Sequence, residues 1–531
     1  MAPRRVLVIA GSDSSGGAGL EADQKVIAAH SCYAMTATTA LTAQNTKTVY
    51  DVHHVPAEFL KKQIDAVIED VGVDVVKTGM LASAGTIETI ADALEAHNVQ
   101  TLVVDPVCFL LTPSLPPVDA YYGLPKVMIS TTGAQLLPPQ ALRVLRDRLL
   151  PLATILTPNI PEARLLLADA GRRHFPVECA DDLEAMAKEM VRALGVKWVL
   201  VKGGHCPFRR GDGKVAGDGE GEIVVDVLAG GDNGDEVVRV QTDFCRSRNT
   251  HGTGCSLASA IASNLAKGMD VPAAVRAACR YVEAGIKTAP GLGEGNGPLN
   301  HFHSVYTLPF SPGHFVEYLL ERPDVAPVWD KHVNHPFVLA MGDATLPLES
   351  FKGYLIQDYL YLTHFARANA LGSYKAKAIE DVAASAAIVT HVFKEMELHI
   401  GYCAGFGISR GEMENTEEKE ACTAYTRYVL DIGQSEDWLA LQIAMAPCLL
   451  GYGAIAKRLH ADPQSKREGN IYWTWIENYV AEDYVTAVKT GSELLERHAV
   501  RQSPARIEEL AKIFIHATKM EIAFWEMYSS S

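Results

Sequence analysis

Short β-branched runs alternate with amphipathic helical stretches along the first part of the chain. The runs RVLVIAGSD (5–13), VDVVKTGM (73–80), QTLVVDPV (100–107) and KWVLVKGGH (197–205) are candidate strands, and PAEFLKKQIDAVIEDVG (56–72) has the periodicity of a helix. This alternation is typical of a mostly parallel sheet with helices on its faces, whose chemistry gathers at the carboxyl ends of the strands. We therefore predict an α/β domain over residues 1–290.

The pattern changes after the Gly-rich stretch APGLGEGNGPLNHFHSV (289–305). Strand patterns almost vanish beyond it, and helical periodicity follows in segments 350–371, 436–459 and 505–528. We predict a linker over residues 291–312 and an all-α bundle over residues 313–531.

Length and composition agree with two domains that handle small molecules. The 531 residues are too many for one hydrophobic core, and the net charge of −16 argues against a general nucleic-acid or anionic-membrane surface. We expect no apolar run as long as the ~18–20 residues of a membrane span, and the start MAPRRVLVIAGSD resembles a first strand more than a signal peptide. The ten Cys include no CxxC pair, so we expect neither a disulfide framework nor a zinc site, and a cytoplasmic location.

The clearest local motif is NTHGTGC (249–255), which opens an apolar helical stretch. Successive amides of Gly252, Thr253, Gly254 and Cys255 at a helix N-terminus would form an anion site and stabilise a phosphoryl group in transfer. The alternative is a simple Gly-rich cap on a buried helix.

Oxygen donors also follow the predicted strands. Asn159 and Glu162 in TPNIPEA are suited to hold a hydrated Mg²⁺ beside phosphates, and Asp105 at the end of another strand could join them. The loop AGSDSSGGAGLEADQK is Gly-rich and has Asp23 on the following helix, but it contains neither GxGxxG nor a Walker A sequence.

These motifs, with TALTAQNT, VKTGML, DPV and VKGGH, closely resemble the hydroxymethylpyrimidine and hydroxymethylpyrimidine-phosphate kinases of the ribokinase-like fold, over residues 5 to about 300. The resemblance implies that ATP phosphorylates 4-amino-5-hydroxymethyl-2-methylpyrimidine and then its monophosphate. It further implies that Asp23 and Gln44 recognise the pyrimidine and that Met80 packs on it. Lys202 and His205 are expected to be structural or to lie on the nucleotide side.

Cys255 stands where ribokinase relatives usually have an Asp base, as it does in this branch of kinases. A thiol at a helix N-terminus has a lowered pKa, so Cys255 could accept a proton. Whether it is a base or only positions the substrate stays open at this point.

In the helical half, pairs of polar and aromatic residues share helix faces. Asp358 and Tyr361 are three residues apart, Cys448 and Tyr452 are four apart, and Glu521 lies in an apolar helix where a carboxylate is costly. A Cys nucleophile, a proton-carrying carboxylate and aromatic walls would suit displacement at a flat ring. The alternative is that Cys448 is a small core residue.

The segments HPFVLAMGDATLPLESFKGYLIQDYLYLTHFARA, CTAYTRYVL, APCLLGYG, YWTWIENY and EIAFWEMY strongly resemble TenA-like thiaminase II proteins, which fold as haem-oxygenase-like bundles. The resemblance implies hydrolysis at the pyrimidine methylene carbon of thiamin or of aminomethylpyrimidine. It assigns Cys448 as nucleophile, Glu521 as acid/base and Asp358 as the partner of the pyrimidine and of Cys448. The expected pocket walls are Tyr361, Tyr425, Tyr452 and Tyr479.

Together the halves resemble the fused kinase–thiaminase II proteins of fungi, in which the product of one domain is the substrate of the other. Both families imply a homo-oligomer. The alternatives are a kinase for another small alcohol such as pyridoxal, and a helical half that only dimerises or senses a ligand.

Residues 107–126 interrupt the kinase pattern. Without VCFLLTPSLPPVDAYYGLPK, the sequence DP–VMISTTG matches the strand and flap of the kinase family, with Val127 on the substrate side. The segment begins with Val, whose codons start with GT, and ends with Lys, which can be encoded by AAG. GT and AG are the letters that bound a eukaryotic intron. We therefore interpret the segment as a retained intron, the alternative being a genuine lid. Transcript sequence across Asp105 to Ser130 distinguishes the two.

Overall fold

The computed structural model describes residues 2–81, 83–106, 109–110, 134–135, 139–172, 175–204, 206–217 and 220–528. The chain divides into two compact units, Met1–Val305 and Tyr306–Ser531, called unit 1 and unit 2 below. The boundary between them falls inside the linker expected at residues 291–312.

Unit 1 is built on a large sheet. Its described strands are β1 Arg5–Asp13, β2 Tyr33–Gln44, β3 Val49–His54, β4 Val75–Thr78, β5 Leu102–Val104, β6 Phe109–Leu110, β7 Ala134–Gln135, β8 Ile155–Leu156, β9 Trp198–Val201, β10 Ile223–Gly230 and β11 Glu236–Asp243. Nine of these form one sheet in the order β11-β10-β9-β8-β5-β4-β1-β2-β3, and β6 pairs with β7. The central pairings, from β9 through β2, are parallel, so the predicted mostly parallel sheet is confirmed.

Helices cover both faces of this sheet. They are α1 Gly19–Ala29, α2 Ala57–Asp70, α3 Ala84–Ala96, α4 Pro139–Val144, α5 Ile160–Asp169, α6 Ala180–Leu194, α7 Thr253–Ala266 and α8 Val271–Lys287. A π-helical turn Leu145–Leu149 and a 3-10 turn Leu150–Leu152 follow α4. Apolar residues of α1, α7 and α8 pack in one core cluster, and those of α2 through α6 pack in another. Strand β1 contributes to both, because alternate side chains point to opposite faces.

Local sequence explains where several helices begin and end. Ser83 caps α3 by accepting the amide of Thr86, and Asn159 with Glu162 forms a capping box at the start of α5. Gly195 ends α6 in the left-handed conformation, with φ of 66°. The Ser83 cap follows β4 and the Asn159 cap follows β8, so both caps hold the residues after these strands at the edge of the sheet, whereas Gly195 ends α6 just before β9.

Unit 2 is helical throughout its described residues. Its helices are α9 Phe315–Glu321, α10 Ala326–Val333, α11 Pro336–Gly342, α12 Leu348–Lys375, α13 Ile379–Gly405, α14 Arg410–Asn415, α15 Glu420–Ser435, α16 Trp438–Ala461, α17 Trp473–Val480, α18 Glu482–Ala499 and α19 Pro504–Glu526. Aromatic residues dominate the main core cluster, which contains Tyr354, Tyr425, Trp475 and Trp525. The predicted all-α bundle is confirmed.

Helix α16 corrects one expectation about membrane spans. It has 24 residues and an apolar window long enough to cross a membrane, which the sequence was expected to lack. Within unit 2, however, 72% of this window is buried among the other helices, as in the core helix of a folded bundle.

Candidate active sites

In unit 1, two glycine-rich turns meet at the amino end of α7. Gly252 precedes α7 with φ of 78°, and a Cβ on it would lie 1.9 Å from the carbonyl oxygen of Gly17. Only glycine permits this approach. Among the described residues no side chain caps the start of α7. The Thr253 amide donates to the Thr250 carbonyl at 3.3 Å, so the amides of Gly254 and Cys255 are the ones available to an anion.

A partly buried lysine lies beside this turn. Lys202 Nζ donates to Asp105 Oδ1 at 2.9 Å, and the side chains are 13% and 2% exposed. A Cβ on Gly254 would lie 3.2 Å from Lys202 Nζ, so the ammonium borders the first turn of α7. Burial lowers the pKa of Lys202, but Asp105 and Glu162 outweigh it, so the pKa is raised and the group stays cationic.

A second buried ion pair lies deeper in unit 1. Lys77 Nζ donates to both oxygens of Asp23, at 3.0 and 2.9 Å, and Ser259 Oγ donates to Asp23 at 2.7 Å. Both charged side chains are fully buried. Burial lowers the pKa of Lys77, but Asp23, Cys255 and Asp105 outweigh it and the pKa is raised. Asp23 is therefore held by protein groups, and its contact with a substrate stays a prediction.

Three buried polar residues converge in unit 2. Glu521 on α19 is 1% exposed, and Tyr425 Oη on α15 donates to its Oε1 at 2.7 Å. Burial raises the pKa of Glu521 to about 8, which Tyr425 opposes and Asp358 on α12 reinforces. Glu521 is thus a neutral acid at pH 7 that can give up a proton just above it.

Aromatic rings surround this acid and the half-buried Cys448 of α16. Burial raises the pKa values of Tyr361, Tyr425 and Tyr452, and Cys448 adds to the shift of each, so the sulfur lies among the three phenols. The ring centroids of Tyr361 and Tyr425 are 5.0 Å apart, and those of Tyr452 and Tyr479 are 5.2 Å apart. Such walls suit a flat heterocycle.

Comparison with known proteins assigns the two units. The phosphomethylpyrimidine kinase family matches residues 13–113 and 124–300, more than half of the chain. The chain belongs to the phosphomethylpyrimidine kinase family. Its unit 2 is a domain of the TENA/THI-4/PQQC family, matched over residues 322–531.

Relatives with both parts support this assignment over the whole length. A Schizosaccharomyces pombe protein assigned to the hydroxymethylpyrimidine/phosphomethylpyrimidine kinases is 40% identical, over 98% of this chain and 90% of its own. The kinase THI20 of Saccharomyces cerevisiae is 32% identical over 98% and 94%. Among solved structures, the ADP complex of Bacillus subtilis pyridoxal kinase is 30% identical, with a TM-score of 0.46, and covers 56% of this chain and 98% of that one.

In the phosphomethylpyrimidine kinase unit, the structure corrects the expectation for Cys255. Burial raises the pKa of its thiol, and although Lys77 opposes this, the pKa reaches about 12. The helix N-terminus was expected to lower it, but loss of water around the sulfur and the nearby Asp23 and Asp105 carboxylates dominate. Cys255 is a neutral thiol and a poor proton acceptor at pH 7.

Two of the expected magnesium ligands, Asn159 and Glu162, are bound to each other through the capping box at the start of α5. Asn159 Oδ1 accepts the amide of Glu162, and Glu162 Oε2 accepts the amide of Asn159, both at 2.8 Å. Asn159 thus orients Glu162. No cluster of three or more His, Cys, Asp or Glu suited to a metal occurs among the described residues. Two buried carboxylates, Asp105 and Glu162, still fit Mg²⁺, which is usually held by one or two carboxylates together with water and phosphate.

The remaining predicted residues of the kinase unit lie around the same edge. Met80 follows β4, and its Cε lies against Gly11. A Cβ on Gly11 would be only 2.4 Å from Met80 Cε, so Met80 occupies the space that a side chain at position 11 would need. Gln44 ends β2, with its Nε2 3.2 Å from His251 Nε2. Val127, His205 and most of segment 107–126 lie outside the described residues. The match to the kinase family is itself interrupted inside that segment, at 114–123.

Sequence reasoning missed Lys77 as a partner and gave Lys202 a minor role. Lys77 lies within β4 and Lys202 directly follows β9, and both strands were recognised, so a lysine in or at the end of an apolar run was the available signal. In the TENA-type unit it missed His399, whose Nε2 donates to the Leu355 carbonyl at 2.9 Å and whose Nδ1 lies 3.9 Å from Asp358 Oδ2.

Replacing Lys77 by Met is expected to lower the free energy of unfolding of unit 1 by about 3–5 kcal/mol, because it leaves Asp23 buried without its cation. Hydrogen exchange of β1 and β4 peptides in urea measures the loss. The matched variant Lys61→Met removes the exposed Lys61–Asp65 pair and should change stability by no more than ~1 kcal/mol. Equal effects of the two variants would contradict the structural role given to Lys77.

Proposed function

We propose that the chain is a bifunctional enzyme of thiamin pyrimidine synthesis and salvage. Unit 1 uses ATP to phosphorylate 4-amino-5-hydroxymethyl-2-methylpyrimidine and then its monophosphate, giving the diphosphate. Unit 2 hydrolyses thiamin or aminomethylpyrimidine to the hydroxymethyl pyrimidine. The observation that carries the proposal is the complementary chemistry of the two sites: a cationic anion-binding edge in unit 1, and a neutral acid with a thiol among aromatic rings in unit 2.

In unit 1, the residues act mainly by position and charge. The uncapped amides of α7 and the ammonium of Lys202 face the place where negative charge develops on the phosphoryl group in transfer. Asp105 holds Lys202 by an ion pair, so the cation needs little rearrangement when substrate binds. Asp105 and Glu162 would hold Mg²⁺, which would neutralise phosphate charge.

The acceptor hydroxyl needs little help from a base. A loose phosphoryl-transfer transition state leaves the attacking oxygen largely protonated until late in the step. This agrees with Cys255, whose pKa of about 12 keeps its thiol protonated at neutral pH. We propose that Cys255 shapes the site and does not act as the base.

In unit 2, Cys448 Sγ attacks the methylene carbon and the bond from that carbon to the leaving nitrogen breaks. Glu521, protonated at neutral pH, gives its proton to the leaving amine of aminomethylpyrimidine and takes up the Sγ proton of Cys448 in exchange, whereas the thiazolium nitrogen of thiamin leaves with the bonding electron pair and needs no proton. Water then attacks the same carbon, the C–S bond breaks, and Glu521 passes one proton of that water to Sγ, which restores the thiol and releases the hydroxymethyl product. Tyr361 and Tyr452 face the ring of the substrate in this proposal.

A substrate panel tests the kinase assignment. Purified protein with ATP is expected to phosphorylate the hydroxymethyl pyrimidine and its monophosphate with higher kcat/KM than pyridoxal. Faster turnover of pyridoxal would assign unit 1 to the alternative substrate. The homo-oligomer implied by both families stays a prediction.

The segment 107–126 remains proposed as a retained intron, supported by the interruption of the family match within it. Deleting it is expected to leave unit 2 hydrolysis unchanged and to increase kinase turnover. Equal kinase turnover with and without the segment would favour a genuine insertion.

The pH dependence of hydrolysis by unit 2 should report the loss of the proton from Glu521. Below a pKa of about 8 the acid holds its proton, and above it the donor is lost, so the rate should fall as pH rises through 8. The hydrogen bond from Tyr425 lowers this pKa, so Tyr425→Phe should move the alkaline limb ~0.5–1 pH unit upward. Rates for aminomethylpyrimidine over pH 6–10 measure the shift. Tyr428→Phe on the same helix, whose hydroxyl contacts Ile513, should leave the limb in place.

A further inference from the structure

Gln44, at the end of β2, contacts two polar side chains whose hydrogen-bonding roles are already determined. The distance from Gln44 Nε2 to His251 Nε2 is 3.2 Å, and that from Gln44 Oε1 to Thr42 Oγ1 is 3.4 Å. A half-turn of a carboxamide exchanges its nitrogen and oxygen with almost no change in shape. The roles of His251 and Thr42 therefore decide which atom faces which partner.

His251 must donate from its Nε2. That nitrogen lies 2.8 Å from Asp13 Oδ2. Burial raises the pKa of Asp13, but hydrogen bonds from His251 and Ser15 outweigh it, so the pKa is lowered and the carboxylate only accepts. His251 Nε2 therefore carries a proton and cannot accept a second one from Gln44. The Gln44 atom that faces His251 has to be the oxygen.

Thr42 leads to the same orientation independently. Its hydroxyl donates to the Ser12 carbonyl at 2.9 Å, which uses its single proton. Thr42 Oγ1 can then only accept from Gln44, so the amide nitrogen has to face Thr42. Both constraints are satisfied by one half-turn of the carboxamide.

We propose that His251 is a positioning residue that fixes the direction of the Gln44 carboxamide and thereby selects a 4-aminopyrimidine. With the direction fixed, the oxygen of Gln44 keeps a lone pair and its nitrogen keeps an N–H. The Gln44 oxygen can then accept from the 4-amino group of the pyrimidine, and the Gln44 N–H can donate to ring N3. A 4-oxo pyrimidine presents an acceptor at C4 and a donor at N3, so it is rejected. The inference rests on the proposed function of unit 1.

The position of His251 links this selection to the anion-binding turn. His251 directly precedes Gly252, and its amide donates to the Gly297 carbonyl at 3.1 Å. Its ring fills the space left by Gly17, where a Cβ would be 2.6 Å from His251 Cδ2. Gly297 thus holds the backbone of His251 and Gly17 leaves room for its ring, which places Nε2 beside Asp13 and Gln44.

The test compares the 4-amino substrate with its 4-oxo analogue, 5-hydroxymethyl-2-methylpyrimidin-4-one, in the full-length protein. His251→Ala should reduce the preference for the 4-amino substrate in kcat/KM by about tenfold, because the freed carboxamide can rotate to suit either edge. Most of the change should be in KM for the 4-amino substrate, with kcat within about threefold. His251→Gln keeps a donor toward Asp13 and should restore part of the preference.

Two further variants separate positioning from a structural effect. In a Gln44→Leu background, His251→Ala should change the preference no further, since there is no carboxamide left to orient. The control His303→Ala removes a partly buried histidine whose ring contacts the Tyr281 carbonyl and the Ser304 hydroxyl, and it should leave the preference unchanged.

An unchanged preference in His251→Ala, or an equal loss of kcat/KM for both pyrimidines, overturns the inference. An equal effect of His251→Ala with and without Gln44 also overturns it. If the wild-type protein phosphorylates neither pyrimidine, the proposed function of unit 1 itself fails, which is a different result.

Discussion

Cys448→Ala is expected to reduce hydrolysis of thiamin and of aminomethylpyrimidine by ~10³-fold or more, because the reaction loses the only thiol that lies among Tyr361, Tyr425 and Tyr452 in the described part of unit 2. Release of the hydroxymethyl pyrimidine, followed by chromatography, measures the loss. ATP-dependent phosphorylation by unit 1 of the same protein should be unchanged.

Glu521→Gln tests the proton donor of the same site. The amide has the shape of the protonated acid but cannot transfer a proton, so hydrolysis should fall by ~10²–10⁴-fold. The control Cys422→Ala removes a fully buried cysteine of α15 and should retain most of the activity. Hydrolysis within about threefold of wild type in both Cys448→Ala and Glu521→Gln would support the alternative of a non-catalytic helical domain.

Lys202→Met is expected to lower kcat for phosphorylation of the hydroxymethyl pyrimidine by ~10²–10³-fold, the usual cost of losing one group that stabilises transition-state charge. Its ammonium borders Gly254 at the start of α7, and no other described lysine is held there by Asp105. Steady-state kinetics with ATP measure the effect, and hydrolysis by unit 2 of the same protein should be unchanged.

Charge and structure can be separated at this position. Lys202→Arg keeps the cation beside Asp105 and should recover part of kcat, whereas the exposed Lys287→Met should have no effect on it. If Lys202→Met retains kcat within about fivefold of wild type, the lysine serves the fold and not the transfer.

Much of the architecture could be predicted from local patterns. The alternation of apolar runs and amphipathic helices indicated the parallel sheet, because each strand and helix has its own period in the sequence. Motifs such as NTHGTGC and APCLLGYG identified both families, since the residues of each motif are contiguous in the chain.

The hydrogen-bond partners of the site residues could not be predicted in the same way. Lys202 and Asp105 are 97 residues apart, Tyr425 and Glu521 are 96 apart, and Lys77 and Asp23 are 54 apart. No spacing rule joins such pairs, because tertiary packing and not helical or strand periodicity brings them together.

The sequence by itself determined the two fold classes, the family and most of the residues that we place at the two sites. Only the tertiary structure decided their protonation. A motif places Cys255 at a helix N-terminus, where a low pKa was expected, yet burial raises it to about 12. Likewise, burial raises the pKa of Glu521 to about 8. A pKa depends on how much water and which charges surround the group, and these are set by every element packed around it.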